Sequence, residues 1–176
     1  MNNWDKYFLD ICKTLSTNSK CLSRQIGAVI VKDKSIVSTG YNGPPRNVDH
    51  CSTRYLNDDK LIEKLKLEVG YGTDLIYEQV KDQCPRRVLK FDSGKGLECC
   101  IAGHAERNCI VNAARLGGSV NGGTLYCNCP IPCSPCLIEI INAGIVEVVV
   151  TSLDCYDEMG KWLVNQSKLK VRKFDC

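Results

Sequence analysis

The run Ile145–Ser152, IVEVVVTS, constrains the fold more than any other stretch of the chain. Valine or isoleucine fills five of its eight positions without a regular apolar–polar alternation. A strand with one solvated face alternates, so a run this dense needs apolar cover on both faces. Helical patterns flank it: Ser134 to Ala143, closed by Asn-Ala-Gly, and a weaker one near 156–165. A last strand, LKVRKF, follows.

The first half reads the same way. Trp4, Tyr7, Phe8, Ile11, Cys12 and Leu15 recur at helical spacing, so the chain opens with an amphipathic helix. IGAVIVKDKSIVSTGY predicts two strands around a charged KDKS turn. YNGPPRN is a loop by its Asn-Gly and Pro-Pro dipeptides. From His104 to Leu116 the pattern is helical until LGG stops it, and TLYCNC is a short strand. The order α-β-β-α-β-α-β-α-β predicts an α/β fold, a three-layer α/β/α sandwich on a five-stranded mixed sheet.

Residues from about 50 to 100 interrupt that order. LNDDKLIEKLKLEVGYGTDLIYEQV reads as helical in part and CPRRVLKFDSGKGLECC as loop. An insert of about 50 residues makes only a marginal core alone. The expectation is therefore a single domain over residues 1–176, carrying a cysteine-bearing insert.

Thirteen cysteines, an odd number, argue against a secreted disulfide framework. The opening MNNWDKYFLD carries acids and no apolar core of a secretory signal. No apolar run approaches the ~18 residues a membrane span needs. A reducing, cytoplasmic setting is expected, with cysteines as buried apolar residues or metal thiolates. The net charge, 23 − 20 = +3, is too small to predict a nucleic-acid surface. It leaves room for a small anionic substrate held by one or two cations.

Only two histidines occur. One, His104, opens a predicted helix and stands two residues before Glu106; PCSPC follows with Cys133 and Cys136. Positions three apart in a first helical turn face the same way, and the helix dipole there favours thiolates. Three ligands of type His-Cys-Cys leave a fourth zinc position open, which separates a catalytic zinc from a structural one. Hydroxide held on that zinc would be the nucleophile, and Glu106 would shuttle its proton to a ring nitrogen and a leaving amine. A CxxC alone equally suits a closed four-ligand zinc knot or no metal. HAE with a later PCxxC is the known signature of the zinc deaminases.

GAVIV, GYNG, HAE, LY, PCSPC and INAGI also fall in the order of the cytidine and deoxycytidylate deaminase superfamily, which the chain resembles from about residue 5 to 170. Within it, GYNGPP, the cysteine-bearing insert and HAERN look most like the deoxycytidylate (dCMP) deaminases. The resemblance implies a cytidine deaminase-like fold and hydrolysis of dCMP to dUMP and ammonia, with attack at C4 of cytosine. It implies a homo-oligomer, commonly a hexamer, regulated by dCTP and dTTP with Mg2+. It makes His104, Cys133 and Cys136 the zinc ligands and Glu106 the proton shuttle. Asn42 would bind the deoxyribose, Arg24 the 5′-phosphate, Tyr156 would border the base, and Ala105 would join them at the substrate. The resemblance further implies a second, structural zinc held by Cys21 and Cys51, which Cys84 and Cys100 complete, with Cys99 or His50 as replacements for one of them. CNCPIPC departs from the commoner VTLSPC by an extra residue and by Asn128 where threonine is frequent.

Other functions remain to be separated from this one. A tRNA adenosine deaminase shares HAE and PCxxC but wants a basic RNA-binding face. A free nucleoside deaminase would need no phosphate cation. A zinc-stabilised binding module without turnover would have no use for Glu106.

Overall fold

In the computed structural model, which describes residues 4–70, 77–78 and 80–174, the sheet starts from a tight hairpin. Strands β1 (Gly27–Lys32) and β2 (Ser35–Tyr41) are joined by Asp33 and Lys34. Both turn residues take positive φ, 50° and 60°, the conformation whose twist suits a two-residue hairpin. Strands β3 (Thr124–Cys127), β4 (Glu147–Val150) and β5 (Lys170–Lys173) complete the order β2-β1-β3-β4-β5. β1 runs antiparallel to β2 and β3, while β3, β4 and β5 run parallel. The sheet is mixed and five-stranded, as the sequence predicts.

Among the described residues, the helices include α1 (Trp4–Ser16), α2 (Cys51–Asn57), α3 (Asp59–Val69), α4 (Pro85–Val88), α5 (Ala105–Leu116), α6 (Ser134–Asn142) and α7 (Glu158–Gln166). The chain divides into two units: the sheet with α1, α5, α6 and α7, and a smaller one made of Lys20–Gln25 and Gly43–Gly103.

In the larger unit, alternate strand residues enter different clusters, as strand geometry requires. Val29, Val31, Tyr126 and Val149 pack with Phe8, Leu9 and Cys12 of α1. Ala28, Ile30, Leu125, Cys127, Val148 and Val150 pack with Ala105, Cys109 and Ala113 of α5 and Leu137 and Ile140 of α6. Leu163 and Val164 of α7 join that second cluster. The dense run in β4 is explained: Val148, Val149 and Val150 are all fully buried, though neighbours face opposite layers. Each contributes about 1.5–3 kcal/mol by burial.

Two glycines let helices touch strand backbone. A Cβ on Gly27 would lie 2.1 Å from the Cys12 carbonyl oxygen, and one on Gly40 would lie 2.4 Å from that of Ala105 and 2.5 Å from Cys109 N. Helix α5 is then latched onto β2. Ser38 Oγ donates to the Cys109 carbonyl at 2.7 Å, and Asn108 and Asn112 donate to Tyr41 and Thr39 carbonyls at 2.8 and 2.9 Å. Arg172 of β5 donates to both Asp5 oxygens, at 2.6 and 2.8 Å, and to Glu147 Oε1 at 3.0 Å.

The smaller unit holds a modest apolar cluster of Tyr55, Leu61, Leu65 and Val80. Asp58 caps α3 by accepting from Leu61 N–H at 3.0 Å, and Gly70 closes that helix at φ 80°. CPRRV, expected as loop, forms the single turn α4, and Leu97–Cys99 forms one 3-10 turn. Proline at the first helical position explains α4, since its missing N–H would have been unpaired anyway. The stretch YGTDLI and Gln79, in the region expected to be helical in part, lie outside the described residues. Among the described residues, no helix is long and apolar enough to cross a membrane.

Candidate active site

His104 and Cys133 occupy equivalent places, each the N-cap of its helix, α5 and α6. Both backbones are extended there, at φ −72°, ψ 153° and φ −66°, ψ 160°. Neither side chain caps its own helix, so each is left to meet the other. Pro135 in the first turn of α6 suits the position, where its missing N–H has no intrahelical acceptor. Cys136, one turn in, turns to the same point and is fully buried.

His104 Nδ1 lies 3.4 Å from Cys133 Sγ and 3.3 Å from Cys136 Sγ. The three donors form a group that could hold a metal ion. The N–S edge of a tetrahedral zinc site with ordinary bond lengths is ~3.6 Å, so the donor set fits zinc in type and spacing. Two helix N-termini meet here, and their dipoles favour negative charge. Hydrogen bonds from the Cys136 thiol and the His104 ring draw the Cys133 thiol down to about 4. Cys136, which donates to Cys133, is pushed up, and the contact with Cys133 raises His104.

Glu106, on the first turn of α5, is 4% exposed. Burial raises its carboxyl, and its own backbone hydrogen bond and the His104 charge offset only part of that. A second buried donor group surrounds it: Cys127 and Cys129 Sγ lie 2.9 Å apart, and Cys129 Sγ lies 4.0 Å from Glu106 Oε1. Sequence reading passed over this pair. The signal was there in CNC, since positions two apart at a strand end face one side.

Residues 2–152 match the family model of the cytidine and deoxycytidylate deaminase zinc-binding region. The chain belongs to the cytidine and deoxycytidylate deaminase family. It is 32% identical over 152 residues to the deoxycytidylate deaminase of Mycobacterium phage D29, covering 84% of this chain and 93% of that one. It is 28% identical over 172 residues to the deoxycytidylate deaminase of Saccharomyces cerevisiae, covering 98% of this chain and 45% of that protein. The chain thus spans less than half the length of that yeast deaminase. The dCMP deaminase of cyanophage S-TIM5, solved in complex with dCMP and dUMP, shares the fold. Its TM-score is 0.65 at 22% identity, over 99% of this chain and 98% of that one.

The other residues picked from the deaminase motifs fall in different places. Asn42 is buried beside β1, and its Oδ1 accepts from Ile26 N–H at 2.8 Å. Ala105 is fully buried at the start of α5, and Tyr156, 45% exposed, lies on the loop before α7 rather than in the core. Asn128 turns its Oδ1 to Gly27 N–H at 2.7 Å. Arg24 belongs to the smaller unit. So do Cys21, Cys51, Cys84, Cys99, Cys100 and His50. Burial, followed by the neighbouring Cys84, Cys21 and Cys100 thiols, raises Cys51 to about 11. Cys99 instead lies 4.0 Å from both Lys64 Nζ and Glu98 Oε1, and His50 is the exposed N-cap of α2.

Proposed function

We propose that this chain hydrolyses dCMP to dUMP, consuming one water and releasing ammonia. The observation that carries the reading is a three-donor cluster with a buried carboxylate beside it. Among the described residues, no fourth His, Cys, Asp or Glu joins His104, Cys133 and Cys136. Three protein ligands are the hallmark of a catalytic rather than a structural zinc. Bound there, zinc supplies the Lewis acidity that makes water nucleophilic near neutral pH.

The chain's own residues do the rest. Glu106 takes a proton from the attacking water, passes it to N3 of cytosine, and then assists departure of the amine from C4. A carboxyl raised by burial suits a group that must both accept and return a proton. Asn42, its amide fixed by Ile26, would bind the deoxyribose; Ala105 and Tyr156 would flank the base; Arg24 would hold the 5′-phosphate through its guanidinium fork. dCMP as substrate rests on the deoxycytidylate deaminases that the chain is similar to.

The same reading includes a second, structural zinc in the smaller unit. That Cys84, Cys21 and Cys100 are the thiols near enough to raise Cys51 supports that set over one containing Cys99 or His50. A metal there would stabilise a unit whose apolar cluster is small. The reading also includes a single functional domain, a cytoplasmic homo-oligomer such as a hexamer, and regulation by dCTP and dTTP with Mg2+. Exposed Val111, Leu116 and Ile138 on α5 and α6 support the oligomer.

The deciding experiment compares dCMP, deoxycytidine, dCTP and CMP by ultraviolet absorbance and ammonia release. Preferred turnover of dCMP supports the proposal. Equal turnover of deoxycytidine, or deamination of none of the four by zinc-loaded protein, overturns it.

A further inference from the structure

Asp157 joins two helices with the two oxygens of one carboxylate. Oδ1 accepts from Gly160 N–H at 2.6 Å, which caps α7. Oδ2 accepts from Ser134 N–H at 3.1 Å. Ser134 is the first residue of α6 and directly follows Cys133. The first N–H groups of a helix have no partner within it, and Cys133 leaves its own helix uncapped. An acceptor from elsewhere in the fold takes that place.

We propose that Asp157 is a positioning residue for the His104–Cys133–Cys136 centre. Its Oδ2 fixes the peptide between Cys133 and Ser134, and with it the direction in which the Cys133 thiol leaves the backbone. The inference rests on the metal-centre reading above. It differs from simple capping because the two oxygens serve different helices. Outer residues that orient metal ligands typically change metal affinity 10–100-fold when altered.

The two roles separate by substitution. Asp157→Asn and Asp157→Ser both remain good N-caps for α7. The amide of Asn has one accepting oxygen, and the Ser hydroxyl is too short to span both helices. In either variant, the bond to Ser134 is lost while the cap is kept. The expected result is a melting temperature close to wild type, zinc affinity lowered about 10-fold or more in competition with a chromophoric chelator, and faster amide exchange at Ser134. Cobalt-substituted protein should show a shifted thiolate-to-metal absorption band. Zinc affinity and cobalt spectrum unchanged in both variants would overturn the proposal, as would failure of both to fold, which would make Asp157 structural only. Cys133→Ser is the control: if the full-length wild type binds no more zinc at this centre than Cys133→Ser does, the metal-centre reading itself falls.

Discussion

Arg107 and Glu139 form a two-pronged ion pair, with Arg107 Nε 3.0 Å from Glu139 Oε2 and the Nη2 nitrogen 2.8 Å from Oε1. The pair bridges α5, which begins after His104, to α6, which begins after Cys133. It clamps from outside the two helices whose N-termini meet at the donor cluster. Both side chains are substantially solvent-exposed, at 48% and 37%, so the clamp is weak. A double-mutant cycle with Arg107→Met and Glu139→Gln should give a coupling of about 0.2–1 kcal/mol in denaturant unfolding. Zinc should stay bound throughout. A coupling above ~2 kcal/mol would show the pair behaving as a buried one.

Glu106→Gln should retain the fold and the metal while turnover falls by about 10²–10⁴-fold, the range for loss of a general acid–base group. Metal content and circular dichroism check the first part, single-turnover kinetics the second. Ammonia release at the wild-type rate would remove Glu106 from the reaction.

Metal analysis should give two zincs per chain. Cys51→Ser should reduce that to one and lower the melting temperature, with the remaining zinc still at His104, Cys133 and Cys136. A wild-type ratio of one, with Cys51→Ser melting unchanged, would remove the structural site.

Acid should loosen the tie between α1 and the far edge of the sheet. The Arg172 hydrogen bond holds the Asp5 carboxyl below its ordinary value of 3.8 despite burial. Burial alone would raise Glu147 from 4.5, but Arg172 and Lys170 carry it below. Carboxylates lowered on folding add stability that is fully present above their unfolded values and lost as pH falls through the folded ones. Unfolding free energy should therefore decline as pH drops below about 4.5. Arg172→Met should flatten that decline, whereas an unchanged slope would show the tie to be silent.

The strand and helix order was legible because apolar periodicity reports the local element directly. The EVVV of IVEVVVTS became β4, its three valines buried in both layers, and the HAE and PCSPC stretches became the starts of α5 and α6. The meeting of His104 with Cys133 and Cys136 was legible too, because motif spacing and helix-start signals agree. Asp157 and the Arg107–Glu139 pair were not. Their partners lie 23 and 32 residues away in sequence, and no local pattern encodes which helices become neighbours. The single turn at Pro85 was missed for a different reason. Its proline reads equally as loop punctuation or as a helix start, and only the following residues' geometry decides.

Gly40 ties strand β2 to the helix that carries Glu106. Because that residue carries only hydrogen, α5 settles against the β2 backbone at Ala105 and Cys109, on either side of the buried Glu106. Even a methyl group at Gly40 would collide with the Ala105 carbonyl and the Cys109 amide, so something must shift to admit it. A strand residue with no side chain thus sets how closely β2 and the helix bearing Glu106 can approach.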